Sequence, residues 1–239
     1  MDINKLLTMY PKTRPNLDDY IVRIYEDEYK KNRSGQTAAS SLAQKFESWM
    51  HKKVSKSFYS ITSDACNTLE IGAGTLNQLP YEAENVNYDI VEPMSFLFED
   101  SDFLYRVRNY FKDISEIPAT NRYCRIISVA VLEHLDDLPS VVKQSIRLLK
   151  SDGVFACGIP SEGGFLWGLA WRLTTGLEFR IRTGKDYGKL MRHEHLNDAL
   201  EIETVLRHFF KEVRVRRFGL GRHFSLYTYI ECRNPIAVS

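Results

Sequence analysis

The spacing of apolar residues divides most of the chain into short β-rich runs and amphipathic helical stretches. Seven runs predict strands, at residues 67–71, 87–91, 107–111, 125–129, 154–159, 213–218 and 225–231. Apolar residues three and four apart predict helices at 37–58, 141–149 and 198–210, the second of which ends in a turn at 151–153. Alternating strands and helices are typical of a parallel sheet. The short connection at 218–222 predicts that the last two strands pair antiparallel.

Composition narrows the class of protein without identifying it. Hydrophobic residues make up 44% of the 239 residues and charged residues 26%, as in soluble globular proteins. The 32 Lys and Arg residues nearly balance 31 Asp and Glu residues, so the net charge of +1 gives no overall case for a nucleic-acid partner. The chain has no apolar run of about 18 residues and no signal-peptide pattern, so we expect a cytoplasmic protein without a transmembrane segment.

The four cysteines carry little evidence of chemistry. Cys66, Cys124, Cys157 and Cys232 lie far apart and have no CxxC spacing. This spacing argues against a zinc site and against a disulfide framework. We therefore expect the cysteines to be buried small hydrophobic residues.

The most informative segment is a strand that runs into two glycines, Thr68-Leu-Glu-Ile-Gly-Ala-Gly-Thr75. Glycines before a helix let a ligand approach the backbone closely, and the amides at the helix start face that ligand. Alone, this pattern also describes an ordinary tight turn. However, Glu92 ends the next predicted strand about twenty residues after Gly72, the spacing at which a carboxylate accepts hydrogen bonds from ribose hydroxyls. Together the two features favour a cofactor site.

From about Leu69 to the C-terminus, the sequence resembles the class I S-adenosylmethionine-dependent methyltransferases of small-molecule type. Leu-Glu-Ile-Gly-Ala-Gly is close to the family's first motif, Asp113-Ile114 resembles the motif after strand three, and residues 126–134 resemble the motif at strand four, ending in Leu-Glu-His. The resemblance implies a Rossmann-like α/β fold with a seven-stranded, mostly parallel sheet and an antiparallel last strand. Helices are expected on both faces. An N-terminal helical cap at 1–60 would precede the methyltransferase domain at 61–239, which would carry a substrate-region insertion at about 160–197.

The resemblance also implies the cofactor, S-adenosylmethionine, and assigns residues to it. Glu70 and the glycine turn would line its methionine end, and Glu92 would hold the ribose. Met94 would pack on the adenine, which Asp113 and Ile114 would also contact. The expected cofactor-binding residues are Glu70, Gly72, Ala73, Gly74, Glu92, Pro93, Met94, Asp113, Ile114 and Val129.

Two departures from known patterns keep alternatives open. The family often has a third glycine where this chain has Leu76, and the dinucleotide fingerprint G-x-G-x-x-G has glycine where this chain has Asn77. A nicotinamide-dependent oxidoreductase is therefore the less favoured alternative. A non-catalytic S-adenosylmethionine-binding module, which would keep the fold without an acceptor site, is the other.

Methyl transfer to a hydroxyl group needs a base near the acceptor. His134, after strand four, and His195, in His193-Glu194-His195, are the candidate catalytic residues. We favour O-methylation of a small-molecule or glycan-like acceptor such as a sugar or nucleotide sugar, while a nitrogen acceptor remains open. The His-x-His spacing could present two imidazoles to a metal on an extended segment, but no third ligand is identifiable, so we predict no metal site.

Several other segments have more than one interpretation. The apolar segment at 163–171 is followed by basic residues. We favour its burial, against the core or a second copy in a homodimer, over an exposed lid or interface or a helix on a membrane surface. Arg214 and Arg216 share one face of a strand, where they face either an anionic acceptor or solvent. In the family, the N-terminal helices commonly cover the cofactor cleft. In the N-terminal segment of this chain, the candidates for ligand contact or core packing are Tyr20, Tyr25, Tyr29, Arg33 and Trp49.

Overall fold

The structure is a computed structural model that describes residues 1–17, 38–60 and 66–236, and no side chains at 38–46, 59 or 60. The candidates Tyr20, Tyr25, Tyr29 and Arg33 lie outside the described residues. Trp49 is described, and its ring packs against that of Phe218 with centroids 5.4 Å apart.

All seven predicted strands are present in one sheet, with the order β3-β2-β1-β4-β5-β7-β6. β1 to β5 pair in parallel, whereas β7 runs antiparallel to both β5 and β6. This arrangement confirms the predicted fold class. The strands are β1 Asn67–Ile71, β2 Asn87–Val91, β3 Val107–Phe111, β4 Tyr123–Val129, β5 Leu149–Pro160, β6 Phe210–Leu220 and β7 Phe224–Pro235.

Helices cover both faces of the sheet because side chains alternate along each strand. On one face, Val142 and Leu206 from two helices join a buried cluster with Leu69 of β1. On the other face, Val54 packs in a cluster with Ile90 of β2. The described α-helices are α1 Ile3–Leu7, α2 Ala38–Ser55, α3 Leu138–Leu148, α4 Phe165–Leu173, α5 Thr175–Thr183, α6 Tyr187–Glu194 and α7 Ala199–Phe209.

Helix α7 begins at Ala199, next to the position that the sequence predicts. Asp198 caps α7 by accepting hydrogen bonds from the amides of Leu200 at 2.8 Å and Glu201 at 2.9 Å. The Glu201 carboxylate in return accepts from the Asp198 amide at 2.9 Å, which completes a capping box. This cap fixes the end of the preceding loop, and that loop carries His195.

The turn predicted at 151–153 is instead an irregularity inside a strand. β5 already begins at Leu149, which pairs with Tyr123, and the next pair joins Arg125 to Val154. The intervening residues therefore bulge out of the ladder. A bulge and a turn need the same polar and glycine residues, so the local sequence does not distinguish them.

The expectation that the cysteines do not pair is wrong for two of them. Cys66 and Cys124 form a disulfide, whereas Cys157 and Cys232 are buried free thiols. The two bonded cysteines are 58 residues apart in sequence, but Cys66 precedes β1 and Cys124 lies in β4, its direct neighbour in the sheet. Sheet topology, which spacing along the chain does not reveal, brings them together.

The segment between β5 and α7 forms the three helices α4, α5 and α6. α4 packs against β7, and α5 bridges α4 and α6. The favoured burial of the 163–171 segment holds only in part: Trp167 and Trp171 are half-buried, whereas Phe165 and Leu169 are exposed. In the described parts of the chain, no helix is both long enough and apolar enough to cross a membrane.

Candidate active site

A cavity of about 890 Å³ opens at the carboxyl ends of β1, β2, β3 and β4. Ligands of open α/β sheets bind at this edge, because the loops that leave neighbouring strands converge there. All ten residues that the family resemblance assigns to the cofactor line this cavity, and so does His134. The N-terminal part of the chain closes one side with residues that the sequence did not indicate, namely Arg14, Glu47, Met50 and His51.

Gly72 begins the loop after β1 in a conformation that favours glycine, with a φ of 72°. Its amide donates to the Val91 carbonyl at 2.8 Å, which ties the loop to the end of β2. A Cβ atom at this position would lie 2.4 Å from Cγ2 of Val131, closer than van der Waals contact allows. Gly72 therefore permits the close approach of the loops after β1 and β4.

We expect Gly72→Ala to lower the free energy of unfolding by about 2–4 kcal/mol, because it adds a steric clash to a strained φ. Gly184→Ala is the matched control, since Gly184 has a φ of 71° and nothing within 4 Å of the added Cβ. That variant should lose only about 1 kcal/mol, the conformational cost alone. Chemical denaturation measures both. Equal losses in the two variants would contradict the proposed role of Val131.

Leu76 stands where the family often has its third glycine, and its backbone keeps the glycine-like conformation with a φ of 64°. Its side chain is fully buried in the cluster on the α2 face of the sheet. Burial of the leucine side chain offsets the cost of the left-handed conformation. The loop thus keeps its path without the third glycine.

Glu92 follows β2 directly, and its buried carboxylate organises the mouth of the cavity. One oxygen accepts a hydrogen bond from the Gly74 amide at 2.8 Å, and the other accepts from the Met94 amide at 3.1 Å. A carboxylate offers about four acceptor positions, so both oxygens keep capacity for further donors. The arrangement suits a ligand with two adjacent hydroxyl groups.

Glu70 is a buried acid near the end of β1, two positions before Gly72. Its Oε2 accepts a hydrogen bond from the Tyr88 hydroxyl at 2.9 Å. Burial raises the pKa of Glu70 to about 8, because a charged carboxylate loses its hydration there. At neutral pH the side chain is therefore mostly protonated until a cationic group enters the cavity.

This pKa predicts a pH-dependent stability. Because the folded-state pKa of about 8 exceeds the ordinary 4.5, the contribution of Glu70 is full below pH 4.5 and is lost as the pH rises to 8. Relative to Glu70→Gln, we expect the free energy of unfolding of the unliganded protein to fall by roughly 3 to 5 kcal/mol across this window. Denaturation at several pH values measures the difference. Parallel pH profiles for the two proteins would contradict it.

The groups assigned to the adenine lie at the ends of β2 and β3. Ile114 is buried, Met94 is half-buried and Asp113 is exposed. Asp113 Oδ1 accepts a hydrogen bond from the Ser115 amide at 2.8 Å, which holds the side chain in a short turn. The three side chains supply an apolar surface with one carboxylate at its edge, as a flat heterocycle with an amino group requires.

The two candidate histidines lie in contact, although they are 61 positions apart. The rings of His134 and His195 meet edge to face, with centroids 4.8 Å apart. Nδ1 of His134 lies 2.8 Å from the Glu194 carbonyl, which can only accept, so Nδ1 carries a proton and donates it to this hydrogen bond. Arg14 fixes the same loops by donating to the carbonyls of His134 at 2.7 Å and His193 at 2.8 Å.

Glu162 was not identified from the sequence, and it is the carboxylate that orients His195. It lies just beyond the end of β5 and forms a hydrogen bond with His195 Nδ1. Burial lowers the pKa of His195, but the hydrogen bond and the charge of Glu162 outweigh this effect, and the charges of Glu133 and Glu194 add to them, so the pKa is raised. The sequence signal that could have indicated Glu162 is its position just after β5, the strand that pairs with β4.

A second cavity, of about 620 Å³, lies on the far side of the histidine pair. His134 lines the first cavity and His195 lines the second, so the two contacting rings stand at the boundary between them. The helices between β5 and α7 line the second cavity with aromatic and charged groups. These include Trp167, Trp171, Arg172, Asp186 and Arg192.

Two sequence hypotheses find little support. His193 and Glu194 end α6 rather than lying on an extended segment, and His193 turns its Nδ1 to the Pro15 carbonyl at 2.7 Å. Among the described residues, no group of three His, Cys, Asp or Glu side chains could hold a metal ion. Arg214 and Arg216 are exposed on the edge strand β6, outside both cavities.

Comparisons with known proteins identify the fold but no close relative. No protein-family model matches the sequence, and no curated protein is similar enough to count as a match. Solved structures do match. The CurJ carbon methyltransferase has a TM-score of 0.55 and 20% identity over 83% of this chain, which spans 56% of the CurJ chain.

Two further neighbours are matched over most of their length and were crystallised with SAH. The plantazolicin methyltransferase BpumL has a TM-score of 0.57 and 11% identity, over 97% of this chain and 95% of its own. The N-methyltransferase NodS from Bradyrhizobium japonicum has a TM-score of 0.55 and 14% identity, over 85% of this chain and 91% of its own. At such identities the similarity shows the fold alone, and that fold is the one of class I methyltransferases.

Proposed function

We propose that this protein is an S-adenosylmethionine-dependent methyltransferase that methylates a hydroxyl group of a small-molecule or glycan-like acceptor. One observation carries the proposal: ten residues from four separate segments, all assigned to the cofactor from sequence, line one cavity beside a histidine pair. The fold brings these strand ends to one edge, and the chemistry of the residues gathered there is what supports the cofactor.

The residues present fit S-adenosylmethionine. The cofactor has two ribose hydroxyls, for which Glu92 keeps free acceptor positions, and an adenine, for which Ile114 and Met94 provide apolar contact. Its methionine end carries a cationic ammonium group. Glu70 is a buried acid beside the glycine turn and can ionise when that cation arrives. When bound, the cofactor supplies a methyl group on a sulfonium, which a nucleophile attacks in line.

His195 is the group we assign as general base. Because Nδ1–H donates its hydrogen bond to the Glu162 carboxylate, the neutral ring keeps its lone pair on Nε2, which can accept a proton from the acceptor hydroxyl. The imidazolium that forms is stabilised by the charge of Glu162 and by the charges of Glu133 and Glu194. His134 packs against His195 on the cofactor side and positions its ring.

In this proposal the second cavity binds the body of the acceptor, and the reacting hydroxyl extends past the histidine pair toward the methyl group in the first cavity. Trp167 and Trp171 offer aromatic faces against which a sugar or another ring can pack. Arg172 and Arg192 can pair with an anionic group such as a phosphate, and Asp186 can accept hydrogen bonds from hydroxyls. These groups support a polar or nucleotide-linked acceptor.

The test is transfer of a labelled methyl group from S-adenosylmethionine to a panel of sugars, nucleotide sugars, phenols and primary amines. We expect product with a hydroxyl acceptor and none with the amines. Product with amines alone would overturn the assignment to oxygen. Cofactor binding without any turnover across the panel would favour the non-catalytic module.

The cytoplasmic location stays a prediction. The Cys66–Cys124 disulfide weighs against it, because disulfides are uncommon in a reducing cytosol.

Homodimer formation also stays a prediction. Size-exclusion chromatography with light scattering measures the oligomeric state directly.

A further inference from the structure

The insertion between β5 and α7 presents a row of exposed apolar side chains, which we call the apolar stripe. Its members recur at every fourth position, so Phe165, Leu169 and Leu173 share one side of α4, and Leu177 and Ile181 share one side of α5 beyond the break at Thr174. Their exposed fractions are 63% for Phe165, 41% for Leu169, 62% for Leu173, 49% for Leu177 and 78% for Ile181. Such a concentration of exposed large apolar groups marks an interaction surface.

The β6–β7 hairpin extends this surface. Leu220 and Phe224 flank its turn, and both side chains are exposed. The ring of Phe224 lies 6.2 Å from that of Phe165, measured between centroids. The surface therefore continues from α4 onto the hairpin.

The charge around the apolar stripe indicates what covers it. Residues 165–192 contain six basic residues and only two acidic ones, although the whole chain is nearly neutral. All six basic side chains are exposed, and they are Arg172, Arg180, Arg182, Lys185, Lys189 and Arg192. An apolar face bordered by cations is complementary to an anionic lipid surface, where apolar groups enter the acyl boundary and cations meet headgroup phosphates.

A second copy of the chain fits the apolar stripe less well than an anionic lipid surface does. A two-fold contact through the apolar stripe would bring together two segments, each with six basic and two acidic residues at 165–192, so their net positive charges would repel. We propose that the apolar stripe and its basic border dock the protein peripherally on bilayers containing anionic phospholipids. Because Phe165 and Arg172 also line the second cavity, docking would place that cavity beside the bilayer.

The experiment is co-sedimentation with vesicles of phosphatidylcholine alone and with vesicles of phosphatidylcholine and phosphatidylglycerol in equal amounts, in the absence of cofactor. We expect binding to the anionic vesicles only, weakening as salt is added. The double variant Leu173→Gln with Ile181→Gln should lose at least about tenfold in partition coefficient. Since both side chains are exposed, its thermal unfolding should match that of the wild type.

The matched control removes two equally exposed apolar residues elsewhere, by Phe96→Gln with Tyr105→Gln. Tyr105 lies beside β3, at the opposite edge of the sheet, so this variant should bind like the wild type. Equal binding of the stripe variant, or absence of binding to the anionic vesicles, would overturn the proposal. A wild-type dimer that the stripe variant converts to a monomer, without vesicle binding, would assign the surface to a second copy instead.

Discussion

Replacing Glu92 by alanine is expected to weaken the binding of S-adenosylmethionine about a thousandfold. The variant would lose the two charge-assisted hydrogen bonds that the carboxylate is expected to accept from the ribose, each worth about 2 kcal/mol. It would also lose the carboxylate's hydrogen bonds to the amides of Gly74 and Met94, which are 2.8 Å and 3.1 Å long. Calorimetric titration of the variant and the wild type measures the change.

The control for this variant is Asp113→Asn, at a carboxylate just beyond the end of the neighbouring strand β3. Asp113 is exposed and supplies one acceptor, so its variant should lose only about tenfold in affinity. Circular dichroism establishes that both variants are folded. If folded Glu92→Ala binds S-adenosylmethionine as tightly as the wild type, the Glu92 carboxylate does not hold the ribose.

Replacing His195 by asparagine is expected to lower kcat by about 10² to 10⁴, the usual contribution of a general base. The affinity for S-adenosylmethionine should stay unchanged, because His195 lines the second cavity and not the first. Turnover of the acceptor found by the panel measures kcat. His208→Asn, an exposed histidine on α7, is the matched control and should keep full activity.

The pH dependence separates this chemical role from a structural one. The raised pKa of His195 means that wild-type activity should rise with pH through an apparent pKa above 6.5. Glu162→Gln removes the main cause of the increase, so both the activity profile and the pKa of His195 measured by NMR should move to lower pH. A pKa of His195 that is unchanged in Glu162→Gln would contradict the positioning role of Glu162.

The sheet and the first cavity were predictable because both depend on patterns that are local along the chain. Alternating apolar residues mark each strand, and parallel pairing then brings the strand ends to one edge. Gly72 and Glu92 stand at such ends, in neighbouring strands, and so their meeting followed from the topology. The same reasoning placed His134 there.

Contacts between distant segments were not predictable in this way. The role of Glu162 depends on how the loop after α6 folds back onto the end of β5, and the disulfide depends on the pairing of β1 with β4. The exposure of Phe165 and Leu169 depends on how three short helices pack, since an apolar run alone does not distinguish a buried helix from one on a surface. Leu76 shows that a residue type can change while the backbone keeps its conformation.

Calorimetric titration of the purified wild-type protein with S-adenosylmethionine, S-adenosylhomocysteine and NADH determines which cofactor the first cavity binds. We expect micromolar binding of the first two ligands and no binding of NADH. Binding of NADH instead, or no binding of any of them by protein shown to be folded and free of carried-over ligand, would show that the cavity is not a site for S-adenosylmethionine.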